Sequence, residues 1–450
     1  MRIWVVVCTQ TQPNTPQNYE GYVTIMNYAD QINQILRNSH PAAFRCLSQL
    51  GSRLYFPKGV PVQSAQAKNC RYNGTIGELK DDHGKAIPLP GIWNTVQGLS
   101  AEEVFLYQAQ GGRADLRALW QKRIVQEIQV PLSMPVSCMG LTHGLSICAD
   151  LFVDADTDVI LPSPRWGNYD MIFGIRPQGR IRNYSVMAGV DGEYGSWKLN
   201  LAGIADAIAN IETKGVLLIN IPNNPVGYTP NQAEVLELVK VIEASSKPLV
   251  IVLDEAYKGM EWEVDCVRHS IAKELAHLDP EKFLVVKVDG VTKELFFFGG
   301  RVAFVSFVTN PTAAAVLEEK AISSIRSTVS ALPSPSQSMT LRALQDPNLD
   351  RDVAYIREML RNRYVALRRE LDANGLEYYP FNSAFFALVR TKHDAEATRL
   401  RLLEHTDQYG VGVGVISVPS AQAIRLSYST VAESDIPAMV AKIADNERRM

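Results

Sequence analysis

The sequence has no long hydrophobic run, no Cys-x-x-Cys pair and no excess of charge of either sign. Each absence removes a class of function. Without a run of about 18 apolar residues there is no candidate membrane-spanning helix. A formal net charge of −3 argues against nucleic acid or an anionic membrane as partner. The six cysteines (Cys8, Cys46, Cys70, Cys138, Cys148, Cys266) are scattered, so reduced thiols in a cytoplasmic protein are expected. The seven histidines are dispersed, with no His-Glu-x-x-His motif, and no metal site is expected. His269 and His277 read as surface residues. The opening MRIWVVVCTQ is too brief for a signal-peptide core and runs at once into Gln and Pro. Residues 1–28 therefore read as an N-terminal extension.

What is present is an ordinary globular composition, 46% hydrophobic and 21% charged, in a chain of 450 residues. That length allows two or three domains. Helical patterns broken at His40-Pro41 and a loop-rich stretch open the chain, and near residue 99 the pattern changes. From there amphipathic helices such as 114–129 and 231–244 alternate with continuous apolar strands such as VLLIN (216–220), LVIVLD (249–254) and FLVVKV (283–288). Such alternation predicts an α/β fold: a mostly parallel sheet covered by helices on both faces in a three-layer large domain. The Ser/Pro-rich stretch 330–338 reads as a hinge, and a long helix, two strands and a terminal helix follow. The expected division is a large domain over 99–330 and a smaller α+β domain built from both chain ends, 29–98 and 331–450.

In sheets of this kind ligands bind beyond the carboxyl ends of the strands. Asn224, Asp254 and Lys293 each fall just past such an end. Asp254 closes a strand of Ile, Val and Leu, where an unpaired carboxylate is costly; a pyridinium nitrogen would be a partner. Tyr257 follows three residues on. Lys293 sits on a short connection between two buried strands, surroundings that favour the neutral amine needed for a Schiff base with an aldehyde. Arg301, eight residues later and beyond Gly299-Gly300, offers a fork that matches phosphate. In GLTHGLS (140–146) the backbone N–H groups of Leu141 and Thr142 and the Thr142 hydroxyl would make an anion site at a helix start. Each feature alone has a plain structural reading, a turn, a cap or a surface cation.

Together these motifs resemble the fold-type I pyridoxal-phosphate enzymes of the class I/II aminotransferase group. The resemblance covers roughly residues 70–445: N-P-x-G at 224–227, D-x-A-Y at 254–257, Lys293 with Arg301, and the late R-x-S at 425–427. It implies pyridoxal 5′-phosphate as cofactor, Lys293 as its Schiff-base lysine, Asp254 as the partner of the ring nitrogen, and Tyr257 with Asn224 as donors to the ring hydroxyl. Arg301, Thr142 and the Leu141 backbone resemble the phosphate cradle, and Trp166, with Asn168 nearby, the aromatic stacked on the ring. Arg425 resembles the arginine that takes the substrate α-carboxylate, with the Ile76-Gly77 backbone beside it. Tyr107 resembles the tyrosine that reaches the neighbouring subunit's phosphate, which implies a homodimer. Two departures stand out: Gly290 where serine is frequent three before the lysine, and His143 inside the phosphate loop. The implied activity is transfer of an amino group from an L-amino acid to a 2-oxo acid. Another pyridoxal-phosphate reaction on this scaffold, a β-lyase or racemase, remains a rival, as does a non-catalytic regulator. Phe385, Phe386 and Trp166 suggest an apolar side-chain pocket, although aromatic residues at strand spacing more often belong to a core.

Overall fold

The computed structural model describes residues 20–57, 59–189, 197–404 and 412–449. Two compact units are present, one ending at Phe56 and one from Pro57 to the end. In the first, helix α1 (Glu20–Ser39) ends before Pro41, and α2 (Pro41–Arg45) and α3 (Gln49–Arg53) follow. His40 Nδ1 and Ser48 Oγ cap the two short helices by accepting from Ala43 N and Gly51 N. The break expected at His40-Pro41 is where α1 stops.

The second unit is built around one sheet. Its elements in chain order are α4 (Ala114–Ile128), β1 (Val136–Met139), α5 (Leu141–Phe152), β2 (Thr157–Ser163), β3 (Arg180–Ser185) and β4 (Lys214–Asn220). There follow α6 (Gln232–Glu243), β5 (Leu249–Asp254), β6 (Phe283–Gly290), α7 (Val291–Glu294) and β7 (Val302–Val308). The seven strands lie in the order β1-β7-β6-β5-β4-β2-β3. Only β7 runs antiparallel to its neighbours. Consecutive residues of β4, β5 and β6 are buried, so both faces of the sheet are covered, as their unbroken apolar runs require. Helix α6 starts at a capping box in which Asn231 and Glu234 satisfy each other's backbone N–H.

After the large sheet, the stretch expected as a hinge is partly helical: a helix begins at Ser334, and Pro335 fits because the first turn needs no backbone donor. The long helix α8 (Leu349–Ala373) buries a stripe of Val353, Ile356, Leu360, Leu367 and Leu371 at helical spacing. A three-stranded antiparallel sheet, β8 (Phe386–Arg390), β9 (Ile416–Val418) and β10 (Ala423–Ser427), has β10 at its centre. The terminal helix α9 (Ile436–Arg448) closes the chain. Tyr72–Asn73 pairs in parallel with Val413–Gly414, so a segment before the large sheet joins one near the end.

One cation in the large sheet is fully enclosed among the described residues. Lys287, in the middle of β6, has no exposed surface. Its ammonium meets Glu255 Oε2 at 2.6 Å and the Asp289 carboxylate. Trp120 Nε1 donates to Asp289 Oδ1 at 3.1 Å and Ser270 Oγ to Glu255 Oε1 at 2.5 Å. Burial opposes the charge on Lys287, and the two carboxylates outweigh it, raising its pKa. Lys287→Met would leave two buried acids without their cation. It is expected to cost about 3–5 kcal/mol, read as a lowered urea midpoint with an unchanged m value.

Candidate active site

Three parallel strands end side by side, and their ends set the floor of the site. Asn220 closes β4, paired with Asp254 at the end of β5, and Asp254 pairs in turn with Val288 of β6. Asn220 Nδ2 donates to the Asp254 carbonyl at 2.9 Å, and Asn220 Oδ1 accepts from Asn224 N at 2.8 Å. The loop carrying Asn224 is thereby tied to the strand that carries Asp254. Above these ends lies a pocket of about 250 Å³ whose walls include Lys293, Asp254, Tyr257, Asn224, Trp166, Arg301 and Arg425.

Asp254 is the deepest charge in the pocket, 4% exposed. Tyr169 Oη donates to its Oδ2 at 2.5 Å and Ala256 N to its Oδ1 at 3.1 Å. Burial pushes its pKa up, against the Tyr169 hydrogen bond and the nearby Lys293 charge. Lys293 Nζ stands 5.2 Å from the centre of the Tyr257 ring. Burial lowers its pKa to about 8, with Asp254 opposing and Arg301 adding to the shift. Part of the amine is thus neutral near pH 8, as a nucleophile requires. Asn224 Nδ2 donates to Tyr257 Oη at 3.2 Å, which leaves that hydroxyl turned to the same pocket.

Opposite this group, helix α5 begins at Gly140, whose φ of 76° lies in the left-handed region. A Cβ at residue 140 would stand 2.2 Å from Arg301 Nη2. Only glycine lets the guanidinium lie against the start of the helix. Arg301, Leu141 and Thr142 therefore share one wall, with guanidinium and free first-turn N–H groups facing the same space. Thr292 Oγ1 also lines the pocket and has no partner. His143 belongs elsewhere: its Nδ1 accepts from Met139 N at 3.1 Å, and burial lowers its pKa, keeping it neutral. Gly290 is equally constrained, since a Cβ there would lie 2.4 Å from Ala303 Cα on β7. No side chain fits at that position.

Arg425, on β10, closes the far side. Its Nη2 donates to the Thr75 carbonyl at 2.6 Å and its Nη1 to Asn224 Oδ1 at 3.3 Å, while Nε has no partner. The guanidinium lies 4.6 Å from the centre of the Phe386 ring. Burial lowers its pKa to about 10, so it stays charged at neutral pH.

Most of the residues singled out from the sequence line this pocket, including Gly77. Four others do not line it. Phe385 is fully buried and packs edge-on to Tyr257 at 5.3 Å; Phe386 forms the pocket wall. Ile76 is 41% exposed, and Asn168 is half-buried outside the lining. Tyr107 is 94% exposed, away from this chain's own pocket. Sequence reasoning missed Tyr169, Asn220 and Thr292. An Asn closing an apolar strand and a Thr beside Lys293 were visible signals; nothing in the sequence ties Tyr169 to an acid 85 residues away.

Known proteins resemble this chain in sequence and in fold. The sequence model of the family described as aminotransferase class I and II matches residues 74–443. The chain belongs to that family. It is a pyridoxal-phosphate-dependent transaminase with an α/β fold. Mitochondrial aspartate aminotransferase from Xenopus tropicalis is 26% identical over 317 residues, 68% of this chain and 71% of the relative. Aspartate aminotransferase from Bacillus subtilis is 26% identical over 201 residues, 44% of this chain and 47% of the relative. The crystal structure of an aminotransferase from Anaerococcus prevotii superposes with a TM-score of 0.74 at 18% identity, covering 99% of this chain and 100% of that one. Aspartate aminotransferase from Thermus thermophilus with maleate gives 0.74 at 20% identity, over 89% and 99%. These two likenesses concern the fold.

The depressed Lys293 pKa has a sign that can be checked. Between about 8 and 10.5 the unfolded chain holds a proton on this amine that the folded protein has lost, so folding stability rises with pH across that window. In cofactor-free protein this group should add up to about 3 kcal/mol from pH 7 to pH 10.5. Lys293→Met should flatten that part of the profile, measured as denaturant midpoints at several pH values.

Proposed function

We propose that this aminotransferase works through the side chains gathered at the strand ends, with Lys293 as the catalytic base and acid. The carrying observation is a buried amine of depressed pKa in one pocket with a buried carboxylate. Bound pyridoxal phosphate supplies an aldehyde carbon and a ring that draws electrons from the substrate's Cα. The residues fit that group. Asp254, held by Tyr169, would partner the ring nitrogen and keep it protonated. Tyr257 and Asn224 would donate to the ring oxygen, and Trp166 would pack against the ring. Arg301 with the Leu141 and Thr142 N–H groups holds the phosphate.

Arg425 takes the substrate α-carboxylate, and its unpartnered Nε is an unused donor for that purpose. With the carboxylate fixed there and beside Gly77, the Cα proton comes within reach of Lys293 Nζ, which removes it and returns it on the other side of the transfer. An L-amino acid leaves as its 2-oxo acid, and a second 2-oxo acid takes the amino group.

The site is completed by a second copy of the chain. Tyr107 is 94% exposed, beside Phe105 at 83% and Leu106 at 59%, an apolar surface that supports a homodimer. Within the unit that starts at Pro57, we assign the helix-covered sheet over residues 99–330 to a large cofactor domain and 57–98 with 331–450 to a smaller one, which the Tyr72–Asn73 pairing with Val413–Gly414 supports; residues 29–56, expected in the smaller domain, belong to the first compact unit. Among the described residues no helix is long and apolar enough to cross a membrane. The described cysteines are free thiols, which supports a cytoplasmic location.

Borohydride reduction after loading with pyridoxal phosphate should add the cofactor's mass to the peptide carrying Lys293; label on another lysine would refute the assignment. Lys293→Ala should lower kcat at least about 10³-fold. Tyr169→Phe should weaken cofactor retention about tenfold, since a hydrogen bond to a charged group is lost. Amino donors, aspartate among them, tested with and without a 2-oxo acid separate transamination from lyase chemistry: pyruvate and ammonia without an acceptor would overturn the transaminase reading.

A further inference from the structure

The short segments that wall the central pocket have a second side. Lys258 and Gly259 follow Tyr257 directly, and Glu294 follows Lys293. These residues face away from the central pocket into a separate cleft of about 600 Å³. Its other walls are α4, which brings Arg123 and Glu127, and α8, which brings Arg357, Glu358 and Arg361.

Some of the charges here are matched within the protein. Lys258 pairs with Glu127 at 2.6 Å, and Glu261 accepts from Gly259 N at 3.1 Å. Arg268 donates to the Glu263 carbonyl at 3.4 Å. Arg123, Arg357 and Arg361 have no hydrogen bond or ion pair among the described residues. Arg357 is the telling one. Its Nε is shut off from solvent without a partner. Its guanidinium lies on the backbone of Gly259, where φ is 84° and a Cβ would come within 2.1 Å of Nη2. Burial lowers its pKa, with Glu294 and Glu261 opposing. At the inner end Glu294 is 6% exposed, and its Oε1 is also without a partner.

A guanidinium held in place with an unused donor is costly unless something fills it. Burial, aided by Asp289, pushes Glu294 up to about 7. Near neutral pH it is then partly a carboxylic acid, able to donate to an anion rather than repel it. Glu358, on the exposed side of α8, is the only other carboxylate in the lining without a hydrogen bond or ion pair among the described residues. Three guanidiniums without a hydrogen bond or ion pair suit an acceptor-rich ligand, and Arg forks match carboxylate and phosphate groups alike.

We propose that the cleft between Arg123, Arg357, Arg361 and Glu294 is a second ligand site, back to back with the central pocket, for a small polyanion bearing carboxylate or phosphate groups. The site stands on its own residues and does not depend on the roles assigned around Lys293.

The test is isothermal titration of tricarballylate and, separately, inorganic pyrophosphate into the full chain loaded with its cofactor. Four proteins are compared: wild type, Arg357→Gln/Arg361→Gln, Glu358→Gln, and Arg425→Gln, which disables the carboxylate grip of the central pocket. At least one anion should bind wild type and Arg425→Gln with Kd below about 1 mM, and the double variant at least about tenfold more weakly. Pyrophosphate alone binding assigns a phosphate ligand, and tricarballylate alone a carboxylate. Glu358→Gln removes a surface carboxylate without touching the core and should tighten binding about threefold. No saturable binding to wild type, wild-type affinity in the double variant, or binding lost only in Arg425→Gln would each overturn the proposal.

Discussion

A carboxylate and an amine are buried together at the ends of two adjacent strands, and the rest of the molecule is arranged to bear that cost. Asp254 cannot share its charge with water, so Tyr169 and the Ala256 N–H satisfy it. Lys293 has no hydrogen-bonded partner for its amine among the described residues, and burial lowers its pKa. Each group's shift is limited by the other's charge. A positively charged ring nitrogen above Asp254 would replace part of what water supplied, and an aldehyde would consume the neutral amine. The site is therefore least comfortable when empty, which is the condition for tight cofactor binding.

The same strands carry a second set of charges that never reaches the pocket. Glu255, next to Asp254, turns the other way to meet Lys287, whose other partner is Asp289. Alternation along a strand explains the division, because successive side chains point to opposite faces. Lys287 with its two carboxylates is matched and inert; Lys293 is unmatched and reactive. Two lysines six positions apart thus differ in chemistry through their neighbours: two carboxylates hold the Lys287 ammonium, and none pairs with Lys293.

The sheet was legible because its strands are continuous apolar runs, and because ligand sites in such sheets fall at strand ends. Lys293, Asp254 and Asn224 follow from that rule together with their motifs. Tyr169 could not be read, because its contact with Asp254 is a property of the folded loop and not of any local pattern. Phe385 and Phe386 were a coin-toss at the level of sequence: a strand start fixes that the two diverge but not which one faces the pocket. The helix beginning at Ser334 was hidden by its own prolines, which mark a turn and a first helical turn equally well. Residues 1–19 lie outside the described residues, so the extension expected there receives no structural account.

The departures from the family pattern have a steric logic. At position 290 a serine would have its Cβ 2.4 Å from Ala303 Cα on β7, so the packing of β6 against β7 leaves room only for glycine. What remains near the phosphate position is Arg301, the start of α5 and the unpartnered Thr292 hydroxyl. Thr292 sits directly before Lys293, on the same short helix, and its Oγ1 is buried without a partner. His143 makes the complementary point. It occupies the loop by sequence, yet its ring caps the end of β1 through Met139 N, so it shapes the start of α5 from behind and adds no charge to the anion wall. The wall's positive character rests on Arg301 and on the backbone alone.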